Sequence, residues 1–117
     1  MKMVLFVLHD STKLNDLLEA WEQAGAKGAT VLFSTGMGRL YQARGLREDM
    51  PVIPSLGDFY ERSEELSRTV FSVVEDQATV ERVRQATKVV VGDLGDPDTG
   101  LLVVLPVDAA DGVGKKH

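Results

Sequence analysis

Short apolar runs alternate with longer amphipathic stretches along this chain, and each change of period marks an element. Met3-Val4-Leu5-Phe6-Val7-Leu8 is a β-branched and aromatic run bounded by His9-Asp10, which predicts a strand with two apolar faces. From Ser11 the period lengthens. Leu14, Leu17, Leu18 and Trp21 fall at i, i+3, i+4 and i+7, one stripe of an amphipathic helix that Ser11 or Thr12 caps and Gly25 ends. Ala29–Thr35 reads as a second strand closing on Gly36-Met37-Gly38-Arg39. Leu40 to Ser67 has no sustained period and carries Gly45, Pro51, Pro54 and Gly57, with one stretch, Glu61–Leu66, of helical composition. This long loop exceeds the roughly 12–15 residues beyond which unstructured connections in compact domains are usually functional or disordered. Thr69–Val74 predicts a third strand. Asp76 caps a second helix with an inner stripe of Val80, Val83 and Ala86 or Thr87. A Gly/Asp loop, Gly92–Gly100, then leads into a fourth strand, Leu101–Leu105, which Pro106 limits.

The order β-α-β, long loop, β-α-β is the ferredoxin-like βαββαβ plan: an α+β fold whose antiparallel four-stranded sheet carries both helices on one face. The other face stays bare. Because strands one and four are apolar on both sides, that bare face exposes a contiguous patch of a kind soluble monomers rarely tolerate. A homo-oligomer packing its sheets inward is expected.

Composition narrows the function. At 117 residues, the chain is read as one domain, residues 1–117, with residues 40–67 a long loop and residues 108–117 a tail that is mobile around Gly112–Lys116. Thirteen Lys plus Arg against 18 Asp plus Glu leave a net charge of -5, which argues against nucleic acid or an anionic membrane as partner. The chain has no Cys, so disulfides, thiolate zinc sites and Cys nucleophiles are excluded. With no spanning stretch, a cytoplasmic protein without membrane insertion is expected. His9 and His117 form no nucleophile–base pair, so no enzyme is expected and no catalytic residue is assigned. His9 reads as a surface-edge residue rather than a base or ligand, and Trp21 as core or interface.

Several segments carry candidate chemistry. Gly36-Met37-Gly38-Arg39 fits either a phosphate grip of exposed N–H groups and a guanidinium, or a plain glycine-rich strand exit. Asp93, Asp96 and Asp98 fit a polar turn, a phosphate cradle, or a hard-cation site for Mg²⁺ or Ca²⁺; their spacing departs from the EF-hand. Tyr41, Phe59 and Tyr60 are aromatics in a charged loop, the composition of partner anchors.

The chain resembles the nitrogen-regulatory PII signalling proteins. Val7 to Arg39 aligns with typical members without a gap, through Lys13-Leu14, Glu19-Ala20, Gly25, Gly28, Thr30-Val31 and Gly36-Met37-Gly38-Arg39, which is similar to the family's Gly-Phe-Gly-Arg. Asp76-Gln77 opens the second helix as in that family, and Gly92–Gly100 is similar to its Gly-Lys-Ile-Gly-Asp-Gly with three residues more. The resemblance implies a homotrimeric regulator in signal transduction with an adenine nucleotide in each inter-subunit cleft. Its long T-loop, here residues 40–67, would dock on a membrane transporter or enzyme. It also implies nucleotide contacts from Thr30, Gly36, Met37, Gly38 and Arg39, and from Gly92, Asp93, Leu94, Gly95 and Gly100 of the B-loop, residues 92–100. Some features depart from the pattern. Leu40 stands where PII proteins keep the Gln that helps hold magnesium and 2-oxoglutarate, Asp93 replaces the B-loop Lys, and the run after Leu105 lacks the family's two Arg residues. A less charged effector than ATP, such as ADP, AMP or a cyclic nucleotide, therefore fits better. The ending Val104–Ala109 is similar to that of the cyclic-di-AMP receptors of the PII-like branch. A CutA-type trimer binding a divalent metal shares the topology and is the alternative.

Overall fold

The computed structural model describes residues 1–36, 67–96 and 99–113. Its strands are β1 (Lys2–Leu8), β2 (Thr30–Ser34), β3 (Ser67–Val74) and β4 (Gly100–Pro106). Its helices are α1 (Leu14–Ala24) and α2 (Gln77–Val91). The sheet has the order β2-β3-β1-β4 with every pairing antiparallel, so the fold is the ferredoxin-like α+β plan. No helix among the described residues is long and apolar enough to cross a membrane.

Local chemistry sets the boundaries. Neither Ser11 nor Thr12 caps α1, whose N-cap residue, Lys13, makes no side-chain cap; Asp10 caps the turn ahead of it. Asp10 Oδ1 accepts from the Thr12 N–H at 3.0 Å and the Thr12 hydroxyl at 2.6 Å, which starts a 3-10 turn, Ser11–Lys13, before α1. A carboxylate offers a full charge and two acceptor oxygens to N–H groups. Gly25 ends α1 with φ 112°; its N–H reaches Glu22 O at 3.1 Å and that of Ala26 reaches Trp21 O at 3.0 Å, a Schellman closure. Asp76 caps α2 as expected, accepting from the Thr79 N–H at 2.8 Å.

Both helices cover one sheet face. Val4, Phe6 and Leu8 of β1 and Val70 and Val74 of β3 are buried there against Leu17 and Trp21 of α1 and Val80, Val83 and Val91 of α2. Of the second helix's predicted stripe, Thr87 rather than Ala86 is fully buried, and the reason is polar. The Trp21 indole N–H donates to Thr87 Oγ1 at 2.9 Å, and the Thr87 hydroxyl donates to Val83 O at 2.8 Å. The Arg82 Nε–H meets the Ala24 carbonyl at 2.9 Å, joining α2 to the end of α1.

The register puts the alternate residues on the uncovered face. Met3, Leu5 and Val7 lie beside Val73, Phe71 and Thr69 on one side and Leu105, Val103 and Leu101 on the other, and Leu32 adjoins Thr69. Eight apolar side chains thus continue across β3, β1 and β4, and neither helix lies over them.

Candidate functional site

At one end of the sheet, here called upper, β1 and β2 finish while β3 and β4 begin. Gly36 lies exposed just beyond β2, and the loop from Gly92 reaches β4 at this end. Thr30 is the first residue of β2, exposed and opposite Phe71. With β2 and β4 on opposite edges, three strand spacings or about 14 Å separate Thr30 from the β4 side of one chain. The fold therefore does not bring Thr30 and Gly36 together with the 92–100 loop within one chain. Met37, Gly38, Arg39, Tyr41, Phe59, Tyr60 and the Glu61–Leu66 stretch lie outside the described residues, as do Leu40 and Asp98.

Gly92 and Gly100 answer local backbone demands. Gly92, with φ 89°, ends α2 by donating its N–H to Lys88 O at 2.8 Å. The Gly95 N–H donates to Asp93 Oδ1 at 2.9 Å, and the Asp96 N–H to Asp93 O at 3.0 Å, so Asp93 organises an Asx turn. That turn occupies the Gly95 amide a phosphate would need. Leu94 packs half-buried on the core. Gly100 has φ 141°, and a Cβ there would overlap the Val7 carbonyl oxygen and lie 2.5 Å from Cζ of Phe6. Among the described residues, no three His, Asp or Glu side chains converge as a metal site.

A cleft of about 330 Å³ opens beside Thr30, lined by the run Lys27–Thr30, by Phe71 and Val73 of the open face, and by Gly112 and Val113. The Ser72 hydroxyl donates to Gly28 O, pinning one wall to β3. The opposite wall comes from the tail, which leaves β4 through a Val107 N–H to Met1 O bond of 3.2 Å and passes to the β2 side. An aromatic ring, aliphatic side chains, a hydroxyl and one ammonium suit a small ligand with a flat apolar part and a polar or anionic end. Of the residues proposed from sequence, only Thr30 lines this cleft. Phe71 and Val73 were legible from alternation with Thr69 on one face, whereas the return of the tail had no sequence signal.

Among the described residues, the titrating groups with displaced pKa values are the caps of the 3-10 turn and of α2. Hydrogen bonds from the Thr12 side chain and backbone, with a smaller contribution from Lys13, hold Asp10 below the usual carboxylate range. Hydrogen bonds from Thr79, the backbone N–H foremost, do the same for Asp76. His9, just past β1, is half-buried, and its Nδ1 meets no hydrogen-bond partner among the described residues. A second cleft, of about 510 Å³, runs between the helices along Ala20, Ala24, Ala86 and Val89 and holds none of the sequence-proposed residues.

Neither a protein-family model nor a curated protein matches this chain.

Proposed function

We propose that this protein is a PII-like trimeric regulator that binds a small effector, an adenine nucleotide, between subunits and signals to a partner transporter or enzyme through residues 40–67. The open apolar sheet face carries this reading, because a ferredoxin-like sheet with one bare face is stabilised by packing against copies of itself. The resemblance through Val7–Arg39 and Gly92–Gly100 names the effector class. The effector carries less charge than ATP with magnesium. Asp93 stands where the resemblance places a cation, and a carboxylate near a polyphosphate in a partly dry cleft is repulsive.

Thermal melting with ATP, ADP, AMP, cyclic AMP and cyclic di-AMP tests the effector. One of them raises Tm with rising concentration, and Arg39→Ala weakens the rise. A panel with no shift, or an unaltered shift in Arg39→Ala, counts against the nucleotide site. Sedimentation equilibrium tests the assembly separately.

A further inference from the structure

The chain beyond β4 crosses the lower end of the sheet, where β1 begins and β4 finishes, and comes to stand over the face that assembly needs. Val107 lengthens the β1–β4 ladder by one bond, its N–H donating to Met1 O at 3.2 Å, and Val107 and Ala110 are half-buried along the way. Gly112, with φ 84°, turns the chain, and Gly112 and Val113 wall the cleft of about 330 Å³ whose other lining includes Phe71 and Val73. Those two side chains belong to the open apolar face. A second sheet laid on that face meets the tail at this corner. The hold on the tail is slight. Beyond Val107 no hydrogen bond or ion pair among the described residues secures it, and Val113 is 37% exposed.

Resting on the trimer proposed above, we infer that residues 107–113 form an autoinhibitory strap: in the single chain they stand over the Phe71–Val73 corner of the open face, and subunits pack only after the strap swings away. A tethered segment competes at a fixed effective concentration, whereas the trimer gains with protein concentration. The strap therefore sets a threshold for assembly. Each subunit must release its own, so any change in the strap acts once per subunit on the assembled trimer. Gly112 aims it. A Cβ at that position meets no atom within 4 Å, so a β-branched residue there is opposed by its backbone alone, at a φ of 84° that L residues rarely adopt.

Sedimentation equilibrium and thiol labelling on the full chain test the strap. Gly112→Val frees the tail without touching the core, so its monomer–trimer midpoint falls by about tenfold in protein concentration relative to wild type, with helical circular dichroism unchanged. The chain has no Cys, so Val113→Cys supplies a single thiol that reports on the tail. Its alkylation is several-fold faster in the trimer than in dilute monomer. A Gly112→Val midpoint at or above that of wild type, or a thiol that reacts no faster in the trimer, overturns the strap and leaves the trimer standing. A wild type that stays monomeric while Gly112→Val assembles supports both. If the two proteins both stay monomeric at high concentration, the trimer itself is overturned, and the strap with it.

Discussion

The two faces of this sheet are written in nearly the same alphabet and meet different fates. Val4, Phe6 and Leu8 alternate with Met3, Leu5 and Val7 along a single strand, yet only the first set is sealed by α1 and α2. The helix-side face is completed by residues near in sequence, joined through the Trp21–Thr87 hydrogen bond and the Arg82 contact with Ala24. Among the described residues no helix lies over the open face, and only the tail at Gly112 and Val113 approaches it, beside Phe71 and Val73. Equal hydrophobicity on both sides of a strand thus encodes two levels of structure, the fold and its assembly, and burial in one chain tells them apart.

Two neighbouring substitutions should break this comparison most sharply. Phe6→Ala removes a fully buried ring, an effect of about 3–5 kcal/mol read from urea unfolding. Leu5→Asp, one residue earlier, leaves the dilute chain folded and eliminates the trimer, because assembly would have to bury an unpaired carboxylate. If Leu5→Asp unfolds the dilute chain as readily as Phe6→Ala does, the two faces are not energetically distinct.

A smaller effect belongs to Gly100, where β4 crosses onto Phe6. Gly100→Ala forces a methyl against the Val7 carbonyl and the Phe6 ring from a φ of 141°, and should destabilise by about 1–3 kcal/mol through overpacking, with more from the backbone. Gly92→Ala meets no atom within 4 Å and bears only the strain of its φ of 89°, so it should lower Tm less. Equal shifts in Tm for the two variants would show that crowding at Phe6 is unimportant.

The four strands and two helices were legible because each carries its own period, and the bare face followed from strands apolar on both sides. Boundaries were less so. Ser11 and Thr12 are good caps by residue type, but they lie inside a 3-10 turn that Asp10 caps ahead of α1, which only the geometry of the turn reveals. In the candidate site, Thr30 was legible through its place in the aligned stretch, whereas the walls supplied by Phe71 and Val113 depend on where strands and tail return in space. The glycines of residues 92–100 suited a ligand loop by composition. A positive φ at the close of α2 accounts for Gly92 and the crowding over Phe6 for Gly100, and such demands are properties of three-dimensional contact rather than of spacing.

The smallest effect concerns two caps beside the covered face, Asp76 at the start of α2 and Asp10 at the 3-10 turn that leads into α1. Asp10 and Asp76 both have folded pKa values below the unfolded carboxylate value of about 3.9. The folded state therefore binds these protons less readily, and stability from both caps is fully present above that value and is lost as pH falls through the folded pKa values. Asp76→Asn separates charge from geometry, because Asn caps helices well but does not titrate. At neutral pH the variant should melt slightly below wild type. Between pH 5 and pH 2 its Tm should fall less steeply, as every other carboxylate is common to both proteins. Parallel curves across that range would mean that the Thr79 hydrogen bond is no stronger to a carboxylate than to an amide, and that the cap contributes shape without charge.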